Sequence, residues 1–292
     1  MSDGVTVETV AELGADVGEG PVWLADTSEL LWVDMEPGLL HRTRYDGSLT
    51  TSTTTTSTGL FLGAVVPRVD GGFVAATGTG FARLAEEGSV ELEVYVLDAG
   101  FRMNDAKCDP AGRFWAGSTD RGFAPGRGAL HILSPDWTSR VVLTGLTLPN
   151  GMGWSPAGDV FYLADTMTHE VFAYEVDPDT GLPGRSRLLH TFSDGDGMPD
   201  GLCMDDTGCL WVALWGGSAV ACLTPDGERI RTVELPATQT SSCAFGGPDR
   251  DILFVTSAAS GLDPTETGRN EGALFAVRGL GRTGPAPARF AG

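Results

Sequence analysis

Short apolar runs punctuated by Gly, Asp and Pro follow one another along the whole chain, and a single grammar recurs. A polar residue precedes a short apolar strand, a turn, and a second strand. The pattern is plainest where Asn150-Gly151-Met152-Gly153-Trp154 leads through Ser155-Pro156-Ala157-Gly158-Asp159 into Val160-Phe161-Tyr162-Leu163-Ala164-Asp165. It recurs where Asp200-Gly201-Leu202-Cys203-Met204 precedes Leu210-Trp211-Val212-Ala213, and where Asn104-Asp105-Ala106-Lys107-Cys108 precedes Phe114-Trp115-Ala116-Gly117. Three fainter copies begin at Glu19, Leu62 and Ser242. Taken as anchors ahead of each first strand, the six positions are 42 to 50 residues apart. One four-stranded propeller blade takes about 40–50 residues. The period therefore predicts an all-β fold, a six-bladed β-propeller of four-stranded antiparallel blades, as a single domain over residues 1–292.

The last repeat offers only three clear strands, near 243–245, 252–256 and 273–277. The alternating run Val5-Thr6-Val7-Glu8-Thr9-Val10 is expected to supply the fourth and close the ring. In the first blade, 39–45 reads as the third strand, Asp46-Gly47 as the turn, and the threonine run 50–56 as an outer strand whose edge is not sticky. The Gly- and Pro-rich segment 119–128 and the polar insertion 258–271 are candidate lids over one end of the channel. Asp194-Gly195-Asp196-Gly197 resembles the opening of a calcium loop, but Met198 falls where a third oxygen ligand belongs, so it reads as a turn.

The first strand of a propeller blade lies nearest the axis, so the six anchors converge around one end of the channel. They read Glu19, Leu62, Asn104, Asn150, Asp200 and Ser242: two carboxylates and two carboxamides on one ring. Hard divalent cations take such oxygen donors. Asn or Asp before Gly also starts ordinary turns, yet four oxygen donors in register favour a metal site. Arg102 stands two residues before Asn104, which puts both on one face of an extended segment. It could bind substrate hydroxyls or a carboxylate, or pair with a neighbouring Asp. Asp34 and Asp165 end second strands and are either supports of the ring or plain strand-end residues.

Other chemistries find no footing. Gly153-Trp154-Ser155-Pro156-Ala157 lacks the closing Gly of a nucleophile elbow, and His41, His131, His169 and His190 are scattered without ligand spacing. With 19 basic against 39 acidic residues the net charge is −20, which repels nucleic acid and anionic membranes. The first ten residues lack the pattern of a signal peptide, and no run is long enough to span a bilayer, so a soluble cytoplasmic protein is expected. The five cysteines form no Cys-x-x-Cys pair and read as reduced, buried, small hydrophobes.

Four motifs together carry a family resemblance: Gly18-Glu19-Gly20-Pro21-Val22-Trp23, the run from Arg102-Met103-Asn104-Asp105 to Arg113, Leu148-Pro149-Asn150-Gly151, and Pro199-Asp200-Gly201-Leu202. From about residue 12 to about residue 277 the chain resembles the SMP-30, gluconolactonase and luciferin-regenerating-enzyme family. That resemblance implies one catalytic divalent metal held by Glu19, Asn150 and Asp200. Calcium is the leading expectation, with zinc, manganese and magnesium as the others. It also implies Arg102 and Asn104 facing the substrate, a small sugar lactone opened by water attack, and Asp200 as the base. The residues by themselves do not separate Asp200 from Glu19 in that role. Two departures stand out: Ala106 replaces a Gly common in the family, and no Glu follows Ala116-Gly117-Ser118. Asp120, in the run Thr119-Asp120-Arg121-Gly122, is the acidic candidate for substrate binding there. A related esterase or phosphotriesterase and a non-catalytic calcium-binding propeller are the alternative readings. Oligomeric state is not readable from the residues.

Overall fold

The computed structural model of the chain describes residues 4–47, 51–263 and 270–292. Thr50 of the threonine run and 264–269 of the expected 258–271 lid lie outside the described residues. The architecture is the expected one: six four-stranded antiparallel sheets. Blade one holds β2 (Gly18–Leu24), β3 (Glu29–Asp34), β4 (Leu39–Arg44) and β5 (Ser52–Ser57), and blade two holds β6 (Leu62–Pro67), β7 (Phe73–Thr77), β8 (Gly80–Leu84) and β9 (Val90–Tyr95). Blade three holds β10 (Phe101–Cys108), β11 (Phe114–Asp120), β12 (Gly128–Leu133) and β13 (Ser139–Leu146). Blade four holds β14 (Pro149–Trp154), β15 (Val160–Asp165), β16 (Glu170–Val176) and β17 (Pro183–Thr191). Blade five holds β18 (Met198–Met204), β19 (Leu210–Trp215), β20 (Ala219–Leu223) and β21 (Arg229–Glu234). Blade six holds β22 (Gln239–Gly246), β23 (Ile252–Ala258) and β24 (Ala273–Arg278), with β1 (Thr6–Glu12) from the N-terminal segment as its outer strand.

Each inner strand packs on the inner strands of both neighbouring blades, so β2, β6, β10, β14, β18 and β22 form a closed ring around the axis. Closure is non-covalent, as the alternating N-terminal run predicted. β1 pairs antiparallel with β24 from Thr6 opposite Arg278 to Glu12 opposite Ala273, and Val5 and Val7 turn inward against the core that contains Phe275 and Val277. Among the described residues no helix is long and apolar enough to cross a membrane.

Sheets packed face to face place their apolar side chains between them, and six hydrophobic clusters fill the six blade-to-blade interfaces. Trp115 and Trp211, at matching points of their second strands, and Trp32 of β3 are fully buried. Two of them share a device legible in the repeat. Asp109 Oδ1 accepts from the backbone N–H of Ala111 and Arg113, and Asp205 Oδ1 from those of Thr207 and Cys209, fixing the turn after the inner strand. The other carboxylate oxygen accepts Trp115 Nε1–H at 2.8 Å or Trp211 Nε1–H at 3.2 Å. A turn and a core tryptophan are thus held by one side chain. All five cysteines are buried and unbridged, and Asp196 caps its own turn through Ser193 and pairs with Arg229 at 2.6 Å.

The C-terminal segment was not foreshadowed by the repeat. After β24 it crosses the end of the channel opposite the anchors, lining the axial cavity with Pro285 and Pro287. It ends on blades two and three, where Phe290 N donates to Pro67 O at 3.0 Å and Ala291 N to Gly112 O at 2.9 Å. Phe290 is fully buried, its ring 5.3 Å from Trp137 and 6.4 Å from Phe114. This tail ties blade six across the ring, so Phe290→Ala is expected to lower unfolding free energy by about 3–5 kcal/mol in denaturant titration.

Candidate metal centre

The anchors do not precede the inner strands, as the repeat suggested; they lie within them, at a break in the ladder. In β10, Asn104 and Asp105 together oppose Gly117, because pairing passes from Met103–Ser118 to Ala106–Ala116. In β14, Asn150 and Gly151 oppose Ala164, and in β18, Asp200 and Gly201 oppose Ala213. Glu19 immediately precedes the corresponding break in β2. Two residues against one is a β-bulge, which re-aims side chains out of strict alternation. The bulges turn the polar anchors onto the axis while the rest of each strand keeps its apolar faces in the blade interfaces.

The glycine after an anchor is required by how close the inner strands come. A Cβ on Gly151 would lie 2.4 Å from Asp200 O, and one on Gly201 would lie 2.1 Å from Ser242 Oγ. Only glycine permits that approach. The strand entrances are also held. Asp34 accepts from the backbone N–H of Asp16 and Val17 at 3.0 Å each, and Asp165 from those of Thr147 and Leu148 at 2.8 and 2.9 Å. Asp34 and Asp165 therefore clamp the segments that lead to Glu19 and Asn150.

Glu19, Asn104, Asp105, Asn150 and Asp200 are all buried. Asn150 Nδ2 donates to Thr166 Oγ1 at 3.1 Å and to Asp200 Oδ1, and Thr166 Oγ1 donates to Pro199 O at 2.8 Å. Asn150 Oδ1 is buried with no hydrogen-bond partner. Burial pushes the carboxyls of Glu19 and Asp200 well above the usual range, and the negative charge of Asp105 adds to both; Asp200 adds to Glu19 as well. Asp105 is itself raised by burial, with Lys107 acting against the shift. An orphaned carboxamide oxygen beside buried, mutually repelling carboxylates is the donor set that a hard divalent cation fits.

Asp105 is not among the residues that the repeat singles out. Strict alternation sends it away from Asn104, and only the bulge brings both to the axis. Thr166 is missed as well, since it belongs to a single 3-10 turn (Thr166–Thr168) after β15. The signal that could have found Asp105 is the pair of polar residues opening its repeat, where the copies at Glu19, Asn150 and Asp200 show one polar residue and a Gly.

Arg102 and Asn104 do come together: Arg102 Nη1 donates to Asn104 Oδ1 at 2.6 Å and to Met103 O at 3.0 Å. Asn104 Nδ2 donates to Pro149 O at 3.2 Å. The Arg102 guanidinium lies over Phe61 and Phe123, 5.1 and 5.9 Å from the ring centroids. Burial lowers its pKa to about 10, with Arg121 adding, while Glu36, Glu19 and Asp200 oppose the shift; it stays charged at neutral pH. Asp120 stands apart from this group. Its carboxylate accepts from Gly122 N at 2.8 Å and faces Arg127 at 3.7 Å. Along the axis from the centre, a cavity of about 350 Å³ is bordered by Asp105, Lys107, Cys203 and Cys243 and by the C-terminal tail.

A six-bladed propeller with a buried oxygen-donor centre on its axis defines a class, and comparison with known proteins narrows it. A profile of the SMP-30/Gluconolactonase/LRE-like region matches residues 17–259, and the chain belongs to this family. It is 37% identical to regucalcin of Danio rerio over 295 residues, covering 99% of each chain. It is 35% identical to a pentonolactonase of Haloferax volcanii over 278 residues, covering 93% of this chain and 94% of the relative. The fold matches the calcium-binding protein regucalcin of Agrobacterium tumefaciens with a TM-score of 0.89 at 26% identity, over 97% of this chain and 96% of the other.

The raised carboxyls give a pH signature. A folded carboxyl whose pKa lies above its unfolded value of about 4 stabilises the fold at low pH and loses that contribution as pH rises through the folded value. A cation that binds the ionised cluster offsets the loss. The gap in Tm between cation-loaded and chelator-treated protein is therefore expected to widen from acid toward neutral pH. Asp105→Asn is expected to raise the Tm of the chelator-treated protein at neutral pH; scanning calorimetry over a pH series checks both.

Proposed function

We propose that this protein is a divalent-cation-dependent hydrolase that opens a small sugar lactone to its acid. The observation that carries the reading is the buried set of Glu19, Asp200 and the unpartnered Asn150 Oδ1 beside the Arg102–Asn104 pair. The lactonase among its relatives supports the substrate class. The calcium-binding regucalcin supports calcium as the leading cation, ahead of zinc, manganese or magnesium.

Glu19, Asn150 and Asp200 would hold the cation, which supplies Lewis acidity to the ester carbonyl. The remaining work falls to the chain. Asp200 accepts a proton from the attacking water as its oxygen bonds to the carbonyl carbon, and returns it to the ring oxygen as the C–O bond breaks. Asp105 favours that proton transfer, because its charge raises the basicity of Asp200. Arg102 and Asn104 orient the ring hydroxyls, and Phe61 and Phe123 hold the Arg102 guanidinium in place through their ring faces. Asp120, as a substrate contact, would have to act from the rim, since its carboxylate is already engaged by Gly122 N.

Base uptake in a pH-stat with glucono- and xylonolactone tests the reading. Activity is expected to vanish with chelator and return with one added cation. Asp200→Ala is expected to lower kcat by at least about a hundredfold. Stoichiometric cation binding with no lactone hydrolysed above the spontaneous rate would overturn it.

A further inference from the structure

Arg121 has no part in the proton transfer or the cation site, yet it stands at the mouth of the centre. Its guanidinium lies 5.9 Å from the centroid of Phe61, the ring that also carries Arg102 at 5.1 Å. The local backbone explains why Arg121, rather than Asp120, is presented there. Asp120 pairs across the sheet with Phe101, and Arg102 pairs with Thr119, so strand alternation puts Asp120 on the opposite side from Arg102. Asp120 is then fixed by Gly122 N, and Arg127 beside it lies over Phe101 at 5.0 Å. The turn continues with Phe123 in the left-handed region at φ 54°, its N–H donating to Asp120 O at 2.8 Å. That turn returns the Phe123 ring to Arg102.

Two guanidinium groups therefore share one aromatic ring at the entrance. The chain carries 39 acidic residues against 19 basic ones. Even so, among the described residues neither Arg102 nor Arg121 forms an ion pair. Arg102 donates hydrogen bonds to the protein only through Nη1, which leaves Nε and Nη2 for another acceptor. Asn104 can serve a neutral hydroxyl. Two guanidinium forks over one ring suit a carboxylate or a phosphate, which each accept paired hydrogen bonds from such groups.

We propose that the substrate is an anionic sugar lactone, with a carboxylate or phosphate remote from the lactone carbonyl, and that Arg121 together with Arg102 binds that group. This deepens the lactonase reading and rests on it. The test compares lactones matched in ring size: D-glucono-1,4-lactone with D-glucaro-1,4-lactone for the carboxylate, and D-glucono-1,5-lactone with its 6-phosphate for the phosphate. Initial rates are measured on cation-loaded wild type, Arg121→Glu and Arg121→Lys at low and high salt.

The expected result is a kcat/KM at least about tenfold higher for one anionic lactone than for its neutral partner, in line with a charge-assisted hydrogen bond. Arg121→Glu should cut that ratio by about 10- to 100-fold, chiefly through KM, with Arg121→Lys restoring part of it. Added salt should weaken only the anionic substrate. Whichever anionic partner shows the effect names the group. Equal or better hydrolysis of the neutral lactones, or a ratio unmoved by Arg121→Glu, overturns this proposal and leaves the lactonase standing. Failure to hydrolyse any of the four overturns both.

Discussion

The structure turns on burying three carboxylates, Glu19, Asp105 and Asp200, close enough on one axis to repel one another. Such a cluster is costly without a counter-cation, and nothing in an apolar β-fold gathers it by default. The six-bladed ring gathers it by bringing the same position of successive inner strands to one place. Closeness is the condition for this. Gly151 and Gly201 let neighbouring inner strands approach to distances that any side chain would block, and that proximity sets the spacing of the donors.

Around the cluster the molecule separates rigid support from chemistry. Bulges turn the anchors inward, Asp34 and Asp165 clamp the strand entrances, and Thr166 bridges Asn150 to the backbone of the next inner strand. None of these groups needs to touch substrate. Of their hydrogen bonds, all but the Thr166–Asn150 bond run to backbone, so the orientation of the donors is set by the fold rather than by the ligand, which is the condition for preorganised electrostatics. The blade interfaces behind them are apolar and rich in aromatic rings, and the C-terminal tail braces the end of the channel away from the anchors.

The mouth obeys a different logic. Its charged groups, Arg102 and Arg121, are positioned by stacking on Phe61 and Phe123 rather than by ion pairs. A ring face uses no hydrogen-bond donor, so apart from Arg102 Nη1, which Asn104 and Met103 O engage, the donors are left for other acceptors. The axial centre thus gathers buried oxygen donors, and the rim presents guanidinium groups on aromatic rings.

The sequence by itself determined the repeat and its direct consequences: six blades, closure by the strand around Val7, and an axial ring that carries Glu19, Asn104, Asn150 and Asp200. These are legible because blade length and strand alternation are local properties, and a repeated local unit leaves a period. It also placed Arg102 beside Asn104, since residues two apart on an extended segment share a face. Only the tertiary structure decided the rest. Asp105 joins the centre through a bulge that breaks alternation, Phe290 reaches its core site through a crossing of the whole ring, and Arg121 reaches the mouth through a turn that points Asp120 elsewhere. Each depends on where one strand lies against a distant one, and a linear pattern does not encode that distance.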